Sequence, residues 1–95
     1  MNSVNLTGRI AALKQCEKCL FVTVATAQKK NYSEADFIDC VAFKHTSDFI
    51  SRNFSKGQFI EIQGYLTKAS HNGQYNIRVV IDSANFCGEK RALDI

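Results

Sequence analysis

The stretch ADFIDCVAF, residues 35–43, decides how the chain is read. In a strand successive side chains point to opposite faces, so Ile38, Cys40 and Ala42 share one side and Phe37, Asp39, Val41 and Phe43 the other. Both sides are largely apolar. Either the strand is buried on both faces, or its outer face exists to stack on something.

The surrounding pattern chooses between these. Residues 3–13, SVNLTGRIAAL, alternate Val4, Leu6 and Gly8 with polar Asn5, Thr7 and Arg9, as a half-buried strand does. A short hairpin holding Lys14 to Lys18 leads to CLFVTVATA, 19–27, rich in β-branched residues and read as a second strand. Residues 28–36, QKKNYSEAD, are polar and aperiodic and read as a loop. Thr46 or Ser47 is placed to cap a short helix over SDFISRNF, with Phe49, Ile50 and Phe54 on one side and Gly57 in the left-handed position after its end. QFIEIQGYLTKAS, 58–70, alternates again with Ile60 and Ile62 inward, and Asn72-Gly73 is a hairpin signal that returns the chain through QYNIRVVI, 74–81. A tail from Ser83 brings Phe86 to close the barrel and ends in polar GEKRALDI.

Five strands with one short helix between the third and fourth predict an all-β OB-fold, a five-stranded Greek-key barrel. One face of each strand fills so small a barrel. Compact Ile38, Cys40 and Ala42 suit that interior, which puts Phe37 and Phe43 outside. Exposed rings on the middle strands of such a barrel are platforms for stacked bases. The plainer reading is that the 28–36 loop or a neighbouring subunit covers them, since large apolar side chains usually are buried.

Ninety-five residues with 45% hydrophobic content fit one domain, expected as a barrel over 1–87 and a short polar tail over 88–95. No apolar run approaches about 18 residues and no charged-then-apolar leader opens the chain, so a cytoplasmic protein with no membrane span is expected. The net charge of +3 is unevenly placed: residues 1–33 carry five basic side chains against Glu17 alone, and the remainder seven basic against eight acidic. A basic half suits a polyanion, and it is also common on ordinary solvated surfaces.

Four cysteines, Cys16, Cys19, Cys40 and Cys87, raise metal and redox readings. Structural zinc needs four ligands, and Cys16-Glu17-Lys18-Cys19 has no second pair at similar spacing; His45, His71 and Cys87 are isolated. Two reduced thiols at a hairpin turn are expected instead. No phosphate-cradling glycine loop and no nucleophile–base constellation is present, so neither catalysis, a cofactor nor a metal is expected.

MNSVNLTGRI at the start, ADFIDCVAFKHTSDFISRNFSKGQFIEIQGYL in the middle and YNIRVVIDSANF near the end resemble the bacterial and phage single-stranded DNA-binding protein family from Asn2 to about Phe86. The resemblance implies a barrel whose basic, aromatic-lined groove takes single-stranded DNA without sequence preference, in replication, recombination or repair. It also implies a homo-oligomer, a tetramer ahead of a dimer, in the bacterial cytoplasm or nucleoid or encoded by a phage or mobile element. By position, Phe37 and Phe43 match two stacking aromatics; a third falls at His71, and a fourth near Lys29, where Tyr32 is the ring at hand. Asp39 departs from the pattern on the binding face. The stretch ends at Ile95 without the flexible linker and acidic tip through which many members recruit replication proteins, which puts that role in doubt.

Arg9, Lys29, Lys30, Lys44, Lys56, Lys68 and Arg78 are the candidates for phosphate contacts, each with the alternative of an ordinary solvated charge. Phe59 alternates with Ile60 and Ile62 and points outward, a candidate oligomer contact. Two rival functions remain at this level. One is an OB-fold protein-interaction subunit of a replication or conjugation assembly, similar to primosomal OB proteins. The other is a zinc or thiol-redox protein using Cys16 and Cys19.

Overall fold

Alternating apolar side chains make residues 35–43 a strand, and its two faces meet different surroundings because the sheet closes on itself. The computed structural model of the chain describes residues 1–28, 30 and 33–87, with His71 described in its backbone alone. Lys29, Tyr32 and the tail over 88–95 lie outside the described residues. The elements follow in the order β1 (Val4–Gln15), β2 (Cys19–Ala27), β3 (Ala35–Phe43), α1 (Lys44–Asn53), β4 (Phe59–His71) and β5 (Gln74–Phe86). The strands form a closed barrel, β1-β2-β3-β5-β4, and β4 returns to β1. Every pairing is antiparallel except β3–β5, a parallel contact of two residue pairs, Cys40↔Val79 and Val41↔Val80. This strand order, with the helix between β3 and β4, is the OB-fold.

Closure depends on two bends. β1 pairs with β4 over Val4–Arg9 and with β2 over Arg9–Gln15, and its register shifts between Ile10 and Ala12 where it passes from one partner to the other. β4 shifts register against β5 at Gln63/Gly64. There a Cβ on residue 64 would run into the Val80 carbonyl, so β5 approaches β4 more closely than any side chain allows. The β4–β5 hairpin turns at Asn72 and Gly73, both left-handed (φ 53 and 80), the pairing a two-residue turn of this hand requires.

The inward faces bring together Ile10, Leu20, Val22, Val24, Cys40, Ala42, Ile60, Ile62, Val79 and Ile81 as one core, with Ile38 partly buried against it. α1 adds Ile50 and Phe54, and the Phe54 ring stacks on Phe86 at 4.6 Å. Phe49, expected on the same helix side, stays at the rim with its ring 6.0 Å from Phe54 and 6.2 Å from Phe86.

Several boundaries differ from the sequence reading. β5 runs on through Phe86, which pairs with Ile60, so the segment read as a tail from Ser83 completes the barrel wall. α1 begins at Lys44, before either expected cap. Thr46 donates its hydroxyl to the Asp82 carbonyl at 3.3 Å, Ser47 is buried, and no side chain caps the helix at Phe43. The strand turns into the helix through Lys44 itself, whose φ of 51 is left-handed. Gly57 is also left-handed (φ 96), but it lies beyond the C-cap residue Phe54, in the turn into β4, where its N–H donates to the Ile10 carbonyl at 2.8 Å.

Cys40 shows what this core does to a titratable group. Burial, reinforced by the neighbouring Asp39 carboxylate, pushes its thiol from the ordinary 9.0 up to about 12. The folded state therefore keeps a proton that the unfolded chain releases first. This contribution is fully present below pH 9 and is lost as pH rises toward 12. Urea unfolding of the wild type at about pH 8 and about pH 10.5 is expected to show a fall in stability that Cys40→Ala reduces. An identical fall in both proteins would place Cys40 in contact with solvent.

Candidate nucleic-acid interface

The outer surface over β2 and β3 is where large rings stay exposed. The register places Phe37 opposite Ala25, Asp39 opposite Thr23, Val41 opposite Phe21 and Phe43 opposite Cys19. Ala25 and Cys19 are too small to cover a ring, and Phe37 is left 65% exposed and Phe43 47%. Ala25 in turn pairs with Arg9, and Arg9 with Phe59, so this row continues around the barrel as Phe37–Ala25–Arg9–Phe59.

Val41 differs from the two rings that share its side of β3. It points outward but is 3% exposed. Its in-register neighbours are large, Phe21 on β2 and Val80 on β5, and the Arg78 guanidinium lies over the Phe21 ring at 5.4 Å. A closed apolar seam therefore separates two open platforms. Phe37 and Phe43 are six residues apart, about 20 Å along an extended strand. They cannot sandwich one base, and a strand lying along β3 would meet them at separate points.

The candidate cations divide by position. Lys44 is exposed immediately after Phe43, and half-buried Arg78 sits on the seam. Lys30 is exposed between β2 and β3; nearby, the Gln28 N–H donates to the Glu34 carbonyl (3.2 Å) and its side-chain amide to Asp36 (3.0 Å). Asp39 is exposed on the same face between the two rings. Arg9 is held on the β1–β4 side: its guanidinium stacks over Phe59 at 4.1 Å and donates to the Gly57 carbonyl at 2.7 Å. Lys56 is exposed in that same turn. Lys68 lies over the Tyr75 ring at 4.3 Å and pairs with Ile77, whereas Arg78 pairs with the adjacent Thr67. Alternation thus sends Lys68 and Arg78 to opposite faces of the β4–β5 arm. His71 ends β4 opposite Gln74 at the tip of that arm. The fold gathers Phe37, Phe43, Lys44 and Arg78 on or beside one face, puts Arg9 at its edge two strands from Phe37 and turned toward Phe59, and leaves Lys68 on the other face of the arm.

Sequence reading passed over three residues of this face. Lys14, Phe21, Val41, Val80 and Tyr65 stand in register across all five strands, so Lys14, Phe21 and Tyr65 belong to it. The signal for Phe21 was present: within CLFVTVATA it alternates against inward Leu20, Val22 and Val24. Among the described residues, no group of three or more His, Cys, Asp or Glu side chains is placed to hold a metal ion, and no helix is long and apolar enough to cross a membrane.

The model of the single-strand binding protein family matches residues 1–87. The chain belongs to this family. The single-stranded DNA-binding protein of Clostridium perfringens is 32% identical over 98 residues, covering 90% of this chain and 65% of that protein's length. Among solved structures, a small single-stranded DNA-binding protein from Mycoplasma pneumoniae superposes with a TM-score of 0.74 at 17% identity, over 90% of this chain and 92% of that one. The dimeric N-terminal domain of PriB protein from Thermoanaerobacter tencongensis gives a TM-score of 0.71 at 17% identity, over 90% and 96%. At these identities the two structures share the fold. In this member of the single-strand binding protein family the exposed rings of Phe37 and Phe43 lie on β3, and His71 ends β4.

Proposed function

We propose that this chain binds single-stranded DNA without sequence preference and protects it during replication, recombination or repair. The observation that carries the reading is the exposure of Phe37 and Phe43 on one face of β3, each beside a side chain too small to cover it. Stacking on a ring is indifferent to base identity, because every base has a π-face. Lys44 and Arg78 supply phosphate contacts beside the rings, with Lys30 at the loop. Arg9, already engaged by Phe59 and Gly57, stabilises the barrel and a subunit contact rather than a phosphate. We place the homo-oligomer contact on the outer face of β4 around Phe59, in a tetramer ahead of a dimer, and the protein in the bacterial cytoplasm. It has no enzymatic role.

Fluorescence anisotropy with labelled poly(dT) and a duplex of equal length, at low and high salt, tests the reading. Preferential single-strand binding that weakens with salt is the expected result, with a slope of about −0.7 in log affinity against log salt for each phosphate neutralised. Arg78→Gln and Lys44→Gln should each flatten that slope by about 0.7. Light scattering at the same protein concentration reads the oligomer. Equal binding to duplex, or none at low salt, would favour the protein-interaction subunit of a primosome-like assembly instead.

A further inference from the structure

Cys16-Glu17-Lys18-Cys19 is the one singled-out motif that the binding face leaves unused, and the fold holds it in a defined geometry. It turns β1 into β2. The Cys16 N–H donates to the Cys19 carbonyl at 2.8 Å, and the Gln15 side-chain amide donates to the Cys16 and Cys19 carbonyls at 3.2 and 3.1 Å. The two cysteines therefore face each other across the turn, one step beyond the last ladder pair, Gln15↔Leu20. Opposed residues of an antiparallel pair have Cα atoms about 5.5 Å apart, within the range a disulfide spans. Both are free, partly accessible thiols.

The turn also touches the binding face. Cys19 is the in-register neighbour of Phe43 on β2, and the Arg78 charge acts on its thiol. In OB barrels the β1–β2 loop borders the ligand surface.

We propose that Cys16 and Cys19 form a reversible dithiol–disulfide pair that reacts with small disulfide oxidants of the glutathione class, and that closing it weakens single-stranded DNA binding at Phe43. The second half rests on the function proposed above. Burial, and then the Cys16 side chain, push the Cys19 thiol up, which disfavours its thiolate. The Cys16 thiolate attacks one sulfur of glutathione disulfide. Its S–S bond breaks, and one glutathione leaves with the electron pair and takes up a proton. The Cys19 thiolate then attacks the Cys16 sulfur of the mixed disulfide and expels the second glutathione, which is protonated in turn. Two electrons pass from the cysteines to the glutathione, and the two protons end on its thiols. The new S–S bond draws the Cys19 side chain toward Cys16 and away from the Phe43 ring.

The test uses the full chain with Cys87→Ser, equilibrated with oxidised and reduced glutathione, alkylated and read by mass spectrometry, with oligo(dT) anisotropy in parallel. The expected result is a Cys16–Cys19 linked peptide in the oxidised sample. Affinity should fall about fivefold or more, the low end of the worth of one stacked base, and recover in dithiothreitol. Cys16→Ser and Cys19→Ser should abolish the linked peptide, and Cys19→Ser should retain a glutathione adduct on Cys16. Unmodified thiols under oxidising glutathione, adducts without a linked peptide, or a linked peptide with unchanged affinity each overturn the proposal. If the reduced protein fails to bind the oligonucleotide, the binding reading falls and the coupling with it, while the linked peptide still decides the thiol chemistry.

Discussion

Replacing Phe37 and Phe43 together by alanine is expected to weaken oligo(dT) binding by about 2 to 6 kcal/mol at fixed salt, each single change contributing about 1 to 3 kcal/mol. The two effects should add, because sites about 20 Å apart share no neighbours and independent sites more than about 10 Å apart seldom couple. The closed seam of Phe21, Val41 and Val80 lies between them. Stability should change little in the single variants, since Phe37 is mostly exposed, Phe43 about half exposed, and neither belongs to the core. The salt slope should also survive, because stacking releases few counterions. Anisotropy titrations, with circular dichroism to verify the fold, read all of this. Unchanged affinity in a folded double variant would remove both rings from the interface and leave their exposure without a function.

Gly64→Ala is expected to destabilise the chain by about 3 kcal/mol or more, beyond the usual cost of overpacking. The atoms a Cβ would meet are the carbonyl oxygen and carbon of Val80 and the Cα of Ile81, all backbone, so no rotamer change can relieve the clash. Moving β5 is the remaining escape. β5 is joined to β3 at this level by two residue pairs, one of them through Val80 itself. Pushing it outward opens the barrel at its shortest seam and disturbs the Val41–Val80 contact beneath the binding face. Urea unfolding compared with Gly57→Ala provides the scale, since residue 57 has open space around it and the cost there is confined to its left-handed backbone, about 1 kcal/mol. Equal losses in the two variants would show that β4 and β5 are not in close approach at Gly64.

Much of this architecture was legible because it is local. Strand-forming composition carried β2 at its observed bounds, β3 was legible apart from Ala35 and Asp36, which the loop reading also took in, and Asn72-Gly73 marked its hairpin by backbone chirality alone. The helix boundary was not legible. Its start depends on Lys44 taking a left-handed conformation and on Thr46 bonding to Asp82, a residue 36 positions away. β5 was cut short at Ile81 for a similar reason: the register shift beside Asp82 interrupts the alternation, and pairing with β4 carries the strand on to Phe86.

The candidate site divides the same way. Sequence alone determined that Phe37 and Phe43 share a face, because strand geometry alternates whatever the strand packs against, and that Phe59 points away from Ile60 and Ile62. Whether an outward side chain meets solvent was decided by its cross-strand neighbours: Ala25 and Cys19 leave their partners open, while Phe21 and Val80 bury Val41. Arg9 and Lys68 carry the same charge as Arg78, yet Arg9 is drawn to Phe59 across the β1–β4 pairing and Lys68 to Tyr75 on the far side of the arm. Facing direction is a property of the chain, and exposure is a property of the neighbours that closure of the barrel brings beside it.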